Sequence, residues 1–118
     1  MMKEFSLRMP LNGEYMTTVR LTVGGLCALA EFDVDSAEDY KVCVTESLLI
    51  LQRSGFTHAS VLFTVGETLK CSLTGEGACQ PTPSPEDEIS HALLSALLGK
   101  VEYTKDEAGK VLAIAFEG

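Results

Sequence analysis

The sequence predicts an α+β fold, a two-layer sandwich in which three helices cover one face of a mixed, mostly antiparallel sheet. Two observations support this class. Short runs alternate apolar with polar residues, whereas longer stretches repeat apolar residues at helical spacing. Turn residues separate these segments in the order strand, two helices, hairpin, helix, hairpin. Because 118 residues suffice for one hydrophobic core, we predict a single domain over residues 1–118.

The first half of the chain predicts one strand and two helices. The strand covers Lys3–Met9, where Phe5, Leu7 and Met9 share a face. A helix follows over Glu14–Ala30, and its two adjacent glycines indicate a close crossing by another element. They are not a phosphate-binding loop, because the pattern G-x-G-x-x-G is missing.

The second helix is predicted over Ala37–Arg53. Ser36 and Asp39 form an S-x-x-D capping signature at its start, and Ser54-Gly55 forms its end. Five acidic residues lie between Glu31 and Asp39. Acids favour a helix N-terminus through the helix dipole, so the helix start explains this cluster better than a metal site does.

The second half predicts a hairpin, a loop, a helix and a final hairpin. The strands are expected at Thr57–Val65, Thr68–Thr74, Val101–Thr104 and Val111–Phe116, with a proline-rich surface loop over Gly75–Pro85. Ser84, Pro85 and Asp87 predict the start of the third helix. Its predicted buried face consists of Ile89, Leu93, Leu94, Leu97 and Leu98.

Charge and cysteine usage limit the classes of function. With 9 basic and 17 acidic residues the net charge is −8, which disfavours nucleic acid and anionic membranes as partners. The four cysteines form no C-x-x-C pair, and the sequence shows neither an N-terminal apolar leader nor a membrane-spanning run. We therefore expect a cytoplasmic protein with free thiols; a Cys71–Cys79 disulfide is the alternative.

Few residues indicate catalytic chemistry. His58 and His91 are the only histidines, and neither accompanies a nucleophile motif. Glu46 is the one acid in the middle of a helix beside apolar residues. One interpretation is a general base or a water-positioning carboxylate. The second is a structural role, either as a solvated edge residue or as a partner for Arg53 or Arg20. The residues alone favour the second interpretation.

Nearly the whole chain resembles the anti-sigma-factor serine kinases of the GHKL superfamily, the Bergerat-fold or histidine-kinase-like ATPases. Val44-Thr45-Glu46 resembles the start of their E-x-x-x-N motif, and Ser54-Gly55-Phe56 corresponds to the H-G-Y that follows. The segment from Gly75 to Cys79, GEGAC, corresponds to their D-x-G-x-G turn. The final helix and hairpin also resemble the ending of that family.

The departures from this pattern concern nucleotide binding. Ile50 stands where the family's Asn holds magnesium, and Ile has no donor atom for a hard cation. Gly75 stands where the family's Asp binds adenine, and Cys79 replaces the second Gly, while Gly77 matches the first. The phosphate-wrapping lid is reduced to Gln80–Pro83, whose prolines lack the N–H groups that such a cradle needs. Only Glu46, the presumed catalytic carboxylate of the kinases, is kept.

The resemblance therefore implies a degenerate nucleotide site at Glu46, Ile50, Gly75 and Gly77 on a kinase-like scaffold with a shortened lid. We expect a pseudoenzyme of transcription regulation that binds a protein partner, such as a sigma factor or an anti-anti-sigma protein. The family also implies a homodimer. We expect no metal and no cofactor. The alternative is a divergent serine/threonine kinase that still binds ATP and magnesium. A third hypothesis is an interaction module whose neighbours carry the activity.

Overall fold

The computed structural model describes residues 3–118 and has an α+β fold. Within these residues five strands form one antiparallel sheet in the order β1-β2-β3-β5-β4. The strands are β1 Lys3–Pro10, β2 His58–Val65, β3 Leu69–Glu76, β4 Val101–Lys105 and β5 Val111–Glu117. The prediction of a mixed sheet was wrong. Each pair of neighbouring strands runs antiparallel, so no parallel pair forms among residues 3–118.

The structure has three α-helices within residues 3–118: α1 Met16–Leu29, α2 Val34–Arg53 and α3 Glu86–Leu97. A single 3-10 turn, Gly13–Tyr15, leads into α1. Helix α2 contacts β2, β3 and β5, while α1 and α3 both pack on α2. The predicted order of strands and helices is thus confirmed. No helix among residues 3–118 is both long enough and apolar enough to cross a membrane.

The core lies between α2 and the inner face of the sheet. On β3, Leu69, Cys71 and Leu73 are buried while their neighbours are exposed, as expected for a strand with one covered face. Tyr40 of α2 is also buried, and its hydroxyl donates a 2.9 Å hydrogen bond to the Leu69 carbonyl. Every buried side-chain nitrogen or oxygen among residues 3–118 has a hydrogen-bond partner.

Gly24 and Gly25 meet the expectation of a close crossing only in part. A Cβ atom at Gly24 would lie 3.2 Å from Cε of Lys41, so the side chain of α2 does cross α1 there. Nothing lies within 4 Å of a Cβ placed on Gly25. The crossing therefore involves a flexible side chain at one glycine.

The third helix buries part of the predicted face, with Leu93 half-buried, together with one residue that was not predicted. Ser90, Leu94 and Leu98 are buried, whereas Ile89 is 60% exposed and Leu97 is 36% exposed. Residues four apart lie on one stripe of a helix, and Ser90 was overlooked because it is polar. The predicted capping box is also incomplete: Ser84 Oγ does accept from the Glu86 N–H at 3.2 Å, but the Asp87 carboxylate faces Arg53 instead.

The start of α2 differs from the prediction as well. Asp33, not Ser36, caps the helix: its side chain accepts the Ser36 N–H at 2.8 Å, and α2 begins at Val34. Hydrogen bonds from Ser36, above all from its backbone N–H, hold the pKa of Asp33 below the ordinary value of a carboxyl group. At the other end Gly55 has a φ of 100°, the left-handed conformation expected of a helix-terminating glycine.

This assignment of the cap predicts that Asp33→Ala lowers the melting temperature more than Ser36→Ala does. Because the folded-state pKa of Asp33 is lowered, its stabilisation is complete above the unfolded pKa of about 3.9 and is lost as pH falls through the folded value. The difference in melting temperature between the wild type and Asp33→Ala should therefore be present at neutral pH and vanish in acid. Melting curves monitored by circular dichroism across this range test it; a larger effect from Ser36→Ala would contradict it.

Candidate functional site

Glu46 and Ile50 lie on α2, whereas Gly75 lies near the end of β3 and Gly77 directly after it. The chain between α2 and β2 joins these two regions. Gly55 accepts a 2.7 Å hydrogen bond from the Cys79 N–H, and Arg53 accepts a 2.9 Å bond from the Thr82 N–H. These bonds hold the shortened loop against the end of α2.

Ile50 is part of the hydrophobic core and is 1% exposed. It lies on the same helix as Val44, Leu48 and Leu51, which are also fully buried. An aliphatic side chain offers no atom that can coordinate magnesium, and its burial leaves no opening for an ion. The position is therefore occupied by core packing.

Phe56 fills the space beside Gly75. A Cβ atom added at Gly75 would overlap the Phe56 ring, closer than a real Cβ atom comes to a neighbouring heavy atom. Phe56 is 8% exposed, and the Lys110 ammonium lies 4.3 Å from the centre of its ring. The absence of a side chain at Gly75 thus serves the packing of an aromatic ring. An Asp at this position would displace that ring.

Gly77 makes the turn that leads out of β3. Its φ is 76°, and an added Cβ would lie 2.0 Å from Thr57 Oγ1. Both the backbone conformation and the close contact require glycine here. The backbone turn and the contact with Thr57 therefore explain the glycine at position 77 without a bound phosphate group.

Glu46 takes part in a hydrogen-bonded cluster between α2 and α3. Ser90 Oγ donates to Glu46 Oε1 at 2.8 Å and accepts from Arg53 Nη1 at 2.8 Å. Ser90 is fully buried, and only 14% of the Arg53 side chain is exposed. Glu46 is thus linked to Arg53 through a serine that the sequence analysis missed, whereas Arg20 bonds to Thr45 at 3.3 Å. The expectation of a pairing with Arg53 is met indirectly.

The cluster continues along α3 to the last hairpin. Arg53 Nη1 lies 3.4 Å from Asp87 Oδ1, and His91 Nε2 lies 3.3 Å from Asp87 Oδ2. His91 Nδ1 is 3.1 Å from the Tyr103 hydroxyl. Burial, together with the Asp87 carboxylate, raises the pKa of Tyr103. The pairing of Asp87 with His91 follows their spacing of four residues on a helix.

The cluster links α2, α3 and the last hairpin through side-chain contacts. A hollow of about 160 Å³ lies where α2 ends, but its lining includes none of Glu46, Ile50, Gly75 and Gly77. Among residues 3–118 no three His, Cys, Asp or Glu side chains cluster as metal ligands. The residues at this site do not fit ATP and magnesium: one position is aliphatic and buried, one is blocked by a ring, and Glu46 is bonded to a buried hydroxyl.

Three of the four cysteines, Cys27, Cys43 and Cys71, are buried, and Cys79 is exposed. All four are free thiols, so the Cys71–Cys79 disulfide is not formed. Burial raises the pKa of Cys43 to about 11 and that of Cys71 well above its ordinary value. A thiol with a raised pKa is a poor nucleophile at neutral pH, because the thiolate is the reactive form.

No protein-family model matches the chain, and no curated protein has a significantly similar sequence.

If Ile50 belongs to the core, Ile50→Asn should cost about 3 kcal/mol of unfolding free energy, because an amide would be buried without a partner. Ile50→Val keeps the position apolar and should cost about 1 kcal/mol. Urea unfolding measures both. An Asn variant as stable as the Val variant would mean that residue 50 faces an open, solvated pocket.

The buried serine should matter for stability. Ser90→Ala removes the hydroxyl that Glu46 and Arg53 share, and we expect a loss of about 2 kcal/mol because both groups stay partly buried. Ser95→Ala on the exposed side of the same helix is the matched control, and it should be neutral or slightly stabilising. Urea unfolding of both variants tests this; equal effects of the two changes would show that the cluster contributes nothing.

Proposed function

We propose that the chain is a regulatory protein-binding domain of the anti-sigma-factor type, built on a GHKL (Bergerat-fold) scaffold and lacking nucleotide turnover. Its support is the order of elements together with the positions of the motif residues. Glu46 and Ile50 lie on the second helix, and Gly75 and Gly77 follow in sequence at the end of the second hairpin strand. A short loop then leads to the third helix, where the kinases carry their lid.

The observation that carries the proposal is the packing at Ile50 and Gly75. Both positions where the kinases place polar nucleotide-site residues are taken up here by apolar packing. Phosphoryl transfer depends almost wholly on a positioned nucleotide and its metal, so a single remaining carboxylate has nothing to activate. Glu46 in addition accepts a hydrogen bond from the buried Ser90. A scaffold of this kind retains its surfaces for binding proteins.

The partner in this proposal is a sigma factor or an anti-anti-sigma protein, met in the cytoplasm by a homodimer of the chain. The net charge of −8 suits a partner with a basic face. The competing function, a divergent ATP-binding kinase, requires that ATP and magnesium enter a site where Phe56 and Ile50 now pack.

Two measurements on the whole chain test the proposal. Millimolar ATP with magnesium should change neither the melting temperature nor the heat of titration, since a ligand at 100 times its Kd would stabilise the fold by about 2.7 kcal/mol. Affinity capture from a native lysate should recover a sigma factor or its antagonist. Saturable ATP binding would replace the proposal with the kinase function, and capture that repeatedly yields neither kind of partner would overturn it.

A further inference from the structure

A groove lies at the other end of the β2–β3 hairpin from the filled site. Gly75 pairs with Ala59 at one end of that hairpin, and Leu69 pairs with Val65 at the other, where the groove begins. The groove has a volume of about 1010 Å³ and runs between the end of α1 and the first half of β1. Nothing in the proposed degenerate nucleotide site contributes to it.

The floor of the groove is apolar and open to solvent. Phe5 of β1 is 43% exposed and Leu29 of α1 is 71% exposed, with the better buried Leu26 and Val65 beside them. Large exposed apolar side chains that gather around one groove indicate a binding surface. Strand β1 adds a second feature. Its one side pairs with β2 along the whole strand, and its other side is an edge of the sheet formed by residues 3–118. Such an edge offers backbone groups to an added strand.

The rim of the groove is predominantly acidic. Four carboxylates line it, against two lysines: Glu4, Glu31, Glu67 and Glu117, with Lys3 and Lys70. None of these six side chains forms a salt bridge within residues 3–118. Lys70 lies directly opposite Glu117 in the sheet, so the lysines offset part of the negative charge. An excess of two carboxylates remains at the rim, and a basic ligand would complement it.

Glu31 stands at a position where the backbone favours glycine. Its φ is 60°, and among residues 3–118 it is the one non-glycine residue with a positive φ. It follows α1 in a helix-terminating turn, in which the Phe32 N–H donates to the Cys27 carbonyl at 3.0 Å. Glycine adopts this conformation without cost, whereas a side chain there is strained by about 1–2 kcal/mol. A carboxylate kept at a strained position beside an apolar groove is a sign of binding function.

We propose that this groove binds an extended segment of a protein partner, in which an apolar side chain is flanked by lysine or arginine. The segment adds to the β1 edge, seats its apolar side chain between Phe5 and Leu29, and places its basic groups at the acidic rim. Peptides that extend a sheet gain affinity from backbone hydrogen bonds and specificity from alternate side chains. A second copy of this chain is a poorer occupant, because it would bring the same excess of carboxylates to the rim. The groove thus adds to the proposed function the chemistry of the partner segment, and this inference rests on that function.

The test uses the whole chain and two labelled peptides with blocked ends, one alternating lysine with valine and the other alternating glutamate with valine. Fluorescence anisotropy should show binding of the lysine peptide, weakened by added salt, and none of the glutamate peptide. Leu29→Ala and Glu31→Asn should each weaken binding about threefold or more. Asn also tolerates a positive φ, so Glu31→Asn removes the charge and keeps the turn.

Matched controls separate the groove from general effects. Ile89→Ala removes an apolar side chain that is 60% exposed on α3, and Glu107→Gln removes an exposed acid in the last hairpin. Both should leave the dissociation constant unchanged. Equal binding of the two peptides, or equal losses in the control variants, would overturn the proposal. So would a dimer, found by analytical ultracentrifugation, that Leu29→Ala dissociates, because the occupant would then be a second copy.

The groove and the proposed function can fail separately. Affinity capture with the Leu29→Ala and Glu31→Asn chains should lose the partner that the wild-type chain recovers. Undiminished capture of a sigma factor or antagonist by both variants would overturn the groove and leave the function standing. Peptide binding with the expected variant losses, combined with capture of neither kind of partner, would support the groove and overturn the function.

Discussion

The burial of α2 is the constraint on which the rest of the structure depends. This helix contacts three strands of the sheet and both other helices, so most of its circumference is covered. Val44, Leu48 and Leu51 have no exposed surface, and Ile50 has 1%. Fully burying each such side chain contributes about 1.5–3 kcal/mol. The polar side chains on the covered second half of this helix need hydrogen-bond partners inside the fold.

Two charged groups of α2 find such partners on α3. Arg53 and Glu46 meet at Ser90, a hydroxyl that can donate to the carboxylate and accept from the guanidinium at once. Arg53 also reaches Asp87, and its backbone carbonyl holds the loop that precedes α3. The cluster therefore fixes α3 and the shortened loop against α2. The same contacts tie Glu46 to the scaffold, which connects the stability of the domain to the proposed loss of nucleotide chemistry.

The two ends of the β2–β3 hairpin differ in how well their apolar side chains are covered. At one end Phe56 packs on Gly75 and closes the space between helix and sheet. At the other end Phe5 and Leu29 stay exposed beside carboxylates without salt-bridge partners in the described part of the chain. At the first end, burial of apolar surface lowers the free energy of the folded chain. At the second end, the exposed apolar surface would lower the free energy only on being covered by a partner.

The sequence by itself determined the α+β class, the order of the elements and most of their bounds, because these follow from periodicity and from turn residues such as Gly55. It also identified Ile50 as a residue without metal-binding capacity. Only the tertiary structure decided that the sheet is antiparallel throughout residues 3–118, that Ser90 is buried, and that Phe56 occupies the space at Gly75. The physical reason is distance along the chain. Glu46 and Ser90 are 44 residues apart, and local patterns carry no information about contacts of that range.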